Sequence, residues 1–201
     1  MPRRRRLESA RIWVWLMCAL FAGEAPPAGA QALIHTDTVY GLRLPAQIGG
    51  AERASVKDYE TARPGLGYGV TYRLPGWTTD LYIYDLKLSS IPDDPTSTVV
   101  KEALAQAKNE VFGLGQRGDY KNVVLKSDYT ILDSSGRTRF VCAMFAYLHA
   151  KLKGEVDSYL CMTGWKGKLV KFRMTTPRND ASGAVSRRFI EAWNGVLWPQ
   201  S

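Results

Sequence analysis

The chain has 201 residues, with 27 Lys and Arg against 19 Asp and Glu and a formal charge of +8. Much of that charge sits at the start, where Arg3, Arg4, Arg5, Arg6 and Arg11 face only Glu8 and Glu24, so the chain beyond residue 32 is near +5. Such mild basicity suits a solvated surface with a leaning towards anionic partners. No basic stripe is interleaved with aromatics in a nucleic-acid motif, so nucleic acid is set aside as a partner.

Residues 1–32 have the three parts of a secretory signal peptide: a basic start, the apolar run 12–22 (IWVWLMCALFA) and the small, Pro-broken stretch 25–32 (APPAGAQA). Two A-x-A sites overlap at Ala28 and Ala30, and cleavage is expected after Ala30 or Ala32. The apolar run is roughly half of the about 20 residues that a membrane-spanning helix needs. Cys18 follows Met17 and lies inside the run, unlike a lipidated cysteine, and a twin-arginine route stays open although no convincing motif follows the arginines. The expected product is a periplasmic or secreted single domain, 33–201, with no later transmembrane segment.

Within that domain, 40–45 reads as a short strand and 47–65, polar and turn-rich, as a long loop. A period-two pattern then puts Tyr68, Val70, Tyr72 and Leu74 on one strand face. Pro75-Gly76-Trp77 is a turn, and Tyr82, Tyr84, Leu86 and Leu88 line the next strand, so the two form a hairpin. Asp94-Pro95 signals a helix start with Asp94 as N-cap. Val100, Ala103, Leu104, Ala107, Val111 and Leu114 follow at helical spacing, and Gly113 and Gly115 are expected to end the helix.

Four strands follow: 122–132, 139–150, 158–163 and 168–175. In the second, Phe140, Cys142 and Met144 alternate with Val141, Ala143, Phe145 and Tyr147, which marks a central strand covered on both faces. In the last, Val170, Phe172 and Met174 face inward and Lys171 and Arg173 oppose them. Val185, Phe189, Ala192, Trp193 and Val196 define a C-terminal amphipathic helix. The fold class is α+β: an antiparallel sheet of about six to seven strands with two main helices packed on it.

Beyond residue 32 the chain keeps two cysteines, Cys142 and Cys161, in strands flanking the turn at 151–155. In an oxidising compartment they invite a cross-strand disulfide, and such a loop stabilises by about 3 kcal/mol in the chain-entropy treatment.

The order of elements resembles the PsbP-like α/β/α sandwich, whose members open with a short strand ending in proline (here 40–45) and continue with a strand pair, a helix, a strand meander and a C-terminal helix. The stretch 168–177 (KLVKFRMTTP) is similar to their last strand. The chain is also similar to uncharacterised exported bacterial proteins with a Pro-Gly-Leu-Gly-Tyr segment, here 64–68. The resemblance implies an accessory, assembly or lipoprotein role, usually without catalysis, and brings no residue-level binding motif.

A search for chemistry finds little. His35 and His149 are the two histidines, with no zinc spacing around them, so no metal and no cofactor is read from the sequence. There is no nucleophile elbow, and the glycines of 65–69 and 113–115 do not form a phosphate cradle. Cys142 and His149, seven residues apart in one strand, fall on opposite faces about 20 Å or more apart. The carboxylates Asp80, Asp85, Asp93, Asp94, Asp128, Asp133 and Asp157 show no spacing that picks out a pair.

Two surfaces remain as binding candidates. Tyr68, Tyr72, Trp77, Tyr82 and Tyr84 could line a ligand pocket at the first hairpin, or simply pack it. Lys151, Lys153, Lys166, Lys168, Lys171 and Arg173, with Trp165 at a turn, could meet an anionic surface or an envelope protein, or be a solvated face. The leading reading is a non-catalytic accessory or binding protein. The alternatives are a small-ligand carrier with a pocket near the aromatic hairpin and a hydrolase with an unconventional carboxylate site.

Overall fold

A computed structural model describes residues 33–34, 37–149, 152 and 154–199. The expected signal segment, His35, Lys151 and Lys153 lie outside the described residues. The elements are β1 (Leu33–Ile34), β2 (Thr38–Val39), β3 (Leu42–Arg43), β4 (Gln47–Ile48), β5 (Ala51–Asp58), β6 (Tyr68–Leu74), β7 (Trp77–Tyr84), α1 (Thr98–Gln116), β8 (Tyr120–Leu132), β9 (Thr138–His149), β10 (Gly154–Trp165), β11 (Lys168–Pro177) and α2 (Ser182–Leu197). One nine-stranded antiparallel sheet runs in the order β1-β5-β6-β7-β11-β10-β9-β8, with β4 on β5, and β2 and β3 form a separate small hairpin. Seven of these strands, β5 to β11, are long, so the fold is the α+β sheet with two helices that the sequence predicts.

Each face of the sheet has its own core because strand side chains alternate. On one face α2 lays Phe189, Ile190, Trp193 and Leu197 over Tyr72, Phe140, Cys142 and Phe172. On the other α1 lays Val100, Leu104, Ala107 and Val111 over Ala143, Phe145, Leu160 and Met162. The two-faced alternation in β9 has this origin, although β9 lies one strand in from the edge and the middle of the sheet is β7 and β11. In β10 every residue from Val156 to Trp165 is buried.

The structure departs from the sequence expectations at several places. The expected loop 47–65 contains β4 and β5. Strand β5 buries only Ala51 and Val56, and a register shift between Arg53 and Ser55 breaks its alternation, so no period of two shows in the sequence. Tyr40 and Gly41, at φ 49° and 75°, are the turn between β2 and β3, not part of a strand. The strand face through Tyr82 and Tyr84 does not continue to Leu86 and Leu88, because Leu86 and Lys87 adopt positive φ and both leucines are exposed.

The start of α1 is also displaced. Its N-cap is Ser97, whose Oγ accepts from the Val100 N–H, while Asp94 closes its own turn by accepting from the N–H and hydroxyl of Thr96. Ser97→Ala is therefore expected to cost about 0.5–1 kcal/mol and Asp94→Ala much less, measured by urea unfolding. Gly113 and Gly115 sit inside the helix instead of ending it. A Cβ on Gly115 would lie 2.8 Å from the Val123 side chain, so glycine there lets α1 approach β8. The chain turns away at Gly118, φ 85°.

Cys142 and Cys161 are paired directly across β9 and β10, with Cα atoms 4.1 Å apart, and form the disulfide. Both are buried in the α2-side core.

Candidate functional site

The strand alternation splits both candidate surfaces between the two faces of the sheet. Tyr68, Tyr72 and Trp77 belong to the α2 side. Tyr72 is 1% exposed, lies edge-on to Phe189 and Trp193, and donates its hydroxyl to the Pro45 carbonyl at 3.1 Å. Tyr68 meets Tyr40 edge-on, and Trp77 lies against Tyr159. Tyr82 and Tyr84 belong to the α1 side. The hairpin thus does not gather its five aromatics around one space.

Among the basic residues, Lys168 pairs with Asp85 at 2.6 Å and covers the Tyr40 ring. Lys166 is exposed above the Trp165 ring. Trp165 itself is not the exposed turn residue that the sequence suggests. It is 3% exposed and donates its indole N–H to the Leu197 carbonyl at 2.7 Å, because β10 continues through it and the turn is only Lys166-Gly167. A cleft of about 560 Å³ opens beside it, lined among others by Arg43, Pro45, Arg53 and Leu197, and a second of about 410 Å³ lies by Asp133, Arg139 and Trp198. Neither is lined by any of the five hairpin aromatics.

The α1-side face brings the remaining halves together. Helix α1 packs on β8, β9 and β10. Beside it, over β6, β7 and β11, the same face carries polar and aromatic groups in register. Thr71 lies opposite Asp80, and Asp80 opposite Arg173. Tyr82 lies opposite Lys171, whose ammonium sits 4.9 Å from the Tyr82 ring and 5.5 Å from the Tyr84 ring.

Hydrogen bonds fix this array. The Thr71 hydroxyl donates to Asp80 Oδ1 at 2.7 Å. Arg173 donates from Nε to Ser158 Oγ at 3.1 Å and from a terminal nitrogen to the Tyr147 hydroxyl at 3.3 Å. The Ser158 and Thr175 hydroxyls bond to each other at 3.0 Å. Tyr147 stacks on Tyr120 with ring centroids 4.1 Å apart. Gly69 makes room for the Tyr59 ring, since a Cβ there would lie 2.8 Å from it.

Electrostatics follow the burial. Burial pushes the Asp80 carboxyl above its usual range, against the Thr71 hydrogen bond and the charges of Lys57 and Arg173, which pull it down. For Tyr147 burial is again the largest influence and pushes up. The Arg173 charge and hydrogen bonds from Ser158, Thr175 and Arg173 together outweigh it, so the phenol lies below its usual range. Burial pushes Tyr84 upward, reinforced by Glu110 of α1.

A raised carboxyl pKa means that the fold favours protonated Asp80. Its charge weighs on stability above the folded pKa, and that burden lifts as pH falls through it towards the ordinary 3.8. Asp80→Asn, which keeps an acceptor for Thr71, is therefore expected to raise Tm at pH 7 and to match the parent at pH 3. Equal Tm values at pH 7 would count against this account.

Nothing in the local sequence marks Asp80, Tyr147, Ser158 and Thr175 as members of one array. Alternation alone puts Asp80 beside Tyr82 and Tyr84, but its opposition to Arg173 needs the β7–β11 pairing, two strands from different parts of the chain.

The fold and the array together define an α+β antiparallel sheet with one helix on each face and a polar, aromatic strip beside α1. No known protein family matches the sequence, and no curated protein does. Among solved structures the chain is similar to the solution structure of cyanobacterial PsbP (CyanoP) from Synechocystis sp. PCC 6803, at 16% identity and TM-score 0.46, covering 85% of this chain and 95% of that one. It is also similar to the crystal structure of a protein of unknown function from Pseudomonas aeruginosa, at 11% identity and TM-score 0.36, covering 64% and 78%.

Proposed function

We propose that the chain is an exported, non-catalytic binding or accessory protein of the periplasm. The observation that carries this reading is the strip beside α1. Its hydroxyls and charges are held by one another: Ser158 is bonded to Arg173, Thr175 and Tyr147. Such an array is suited to recognition more than to nucleophilic attack. Export is supported by the basic, apolar and small-residue order of residues 1–32 and by the Cys142–Cys161 disulfide, a bond typical of oxidising compartments.

Native mass spectrometry of the protein taken from the periplasm of its own host tests the reading. The expected result is a chain that starts after Ala30 or Ala32, two hydrogens lighter than its dithiol, carrying a bound small molecule or partner. A chain found only in the cytosol, with residues 1–32 intact and both thiols free, would overturn it.

A further inference from the structure

We propose that the strip beside α1 binds a small organic anion, a carboxylate or phosphate group attached to a flat apolar body. This deepens the binding-protein reading above and rests on it. The charges decide the sign of the ligand. On this part of the face Lys57, Lys171 and Arg173 stand against the carboxylate of Asp80 and, at the α1 margin, Glu110, while Glu52 and Arg73 lie opposite each other at its far end. A cationic ligand would meet three like charges, and an anionic one meets a net attraction.

The polar groups suit an anion's oxygens. Arg173 is oriented by Ser158 and Tyr147, with Thr175 bonded to Ser158 behind it, so the guanidinium plane is fixed before any ligand arrives. The rings decide the body. Tyr82 is partly exposed beside Lys171, Tyr84 lies next to it, and Tyr120 stacks on Tyr147 at the other margin, so the charged centre is flanked by aromatic faces. Thr71, Tyr82 and Arg173 are partly exposed and Lys57 is exposed, which opens the strip to solvent.

Asp80 gives the proposal a signature that a structural role would not produce. It sits across from Arg173 and repels an anion, so neutralising it strengthens binding, whereas removing a cation weakens it.

The test titrates the folded protein with phenyl phosphate, benzoate and benzyl alcohol while backbone amide shifts are recorded by NMR. The expected result is binding of phenyl phosphate or benzoate and not of benzyl alcohol, with shifts centred on Asp80, Tyr147, Lys171 and Arg173. Lys171→Gln and Arg173→Gln weaken it about tenfold or more, and Asp80→Asn tightens it. Lys171→Gln keeps the test valid if Arg173→Gln unfolds. Shifts centred on the cleft at residues 41–46, shifts scattered over surface lysines, or an Asp80→Asn variant that binds no better would each overturn the proposal. No binding of either anion would overturn it too, yet leave the broader reading standing, because the native mass measurement decides that separately.

Discussion

Replacing Cys142 and Cys161 together by alanine is expected to lower the unfolding free energy by about 3 kcal/mol under oxidising conditions. The two residues are 19 apart in sequence, so the bond closes a β-hairpin loop in the unfolded chain and removes part of its conformational freedom. Both sulfurs lie in the α2-side core beside the Tyr129 hydroxyl, 3.7 Å from Cys161 Sγ, and alanine is chosen so that no new polar group is buried there. Urea unfolding followed by Trp fluorescence gives the midpoint, and the slope is expected to rise as the unfolded chain expands. A midpoint equal to that of the oxidised parent would show that the bond contributes nothing. Because Cys142 and Cys161 are 1% and 0% exposed, a reductant added to the folded protein is expected to react only at the rate of opening.

The cysteines mark how far local pattern reaches. Their strands, β9 and β10, are dense in apolar residues, and alternation sorted Phe140 and Cys142 from Ala143 and Phe145 onto the faces where α2 and α1 cover them. Where local geometry departs from a regular period, the pattern fails for a physical reason. Strand β5 carries a bulge, and the N-cap of α1 falls at Ser97, three residues after Asp94, because an Asx turn uses up the Asp94 side chain. Gly113 and Gly115 read as stops on propensity alone, but the helix runs through both, and at Gly115 the close packing of α1 on Val123 selects glycine.

The functional face was legible only in fragments. Tyr82, Tyr84, Lys171 and Arg173 each stand out in the sequence, yet in two groups, because the sequence places them 87 to 91 residues apart and only the pairing of β7 with β11 joins them. The same pairing separates them from Tyr68, Tyr72 and Trp77, which alternate onto the α2 face. Register between distant strands depends on how the whole sheet buries its two cores, and that is a property no single strand carries.

At the opposite face, Asp157→Ala is expected to cost about 2 kcal/mol, more than any change to the charged residues around it. Helix α2 starts without a side-chain cap at Ala181 and with no acidic residue in its first turn. A neighbouring strand supplies what the helix lacks. Asp157 of β10, 4% exposed, accepts from the Ser182 hydroxyl at 2.7 Å and from Arg178 Nε at 3.1 Å, and the Ser182 hydroxyl also bonds the Tyr159 phenol at 2.9 Å. Its charge lies at the positive end of the helix dipole. Removing it leaves the Ser182 hydroxyl without its carboxylate acceptor in a buried site, whereas the Arg178 side chain, 39% exposed, can return to water. Arg178→Ala should therefore cost less than about 1 kcal/mol, and Asp157→Asn, which keeps an acceptor for Ser182 but not the charge, should fall between the two. Urea midpoints order the three variants, and amide exchange is expected to quicken at residues 182–186 before it does at the Trp193 turn, which the core holds. An Asp157→Ala variant no weaker than Arg178→Ala would mean that α2 is docked by its apolar face alone.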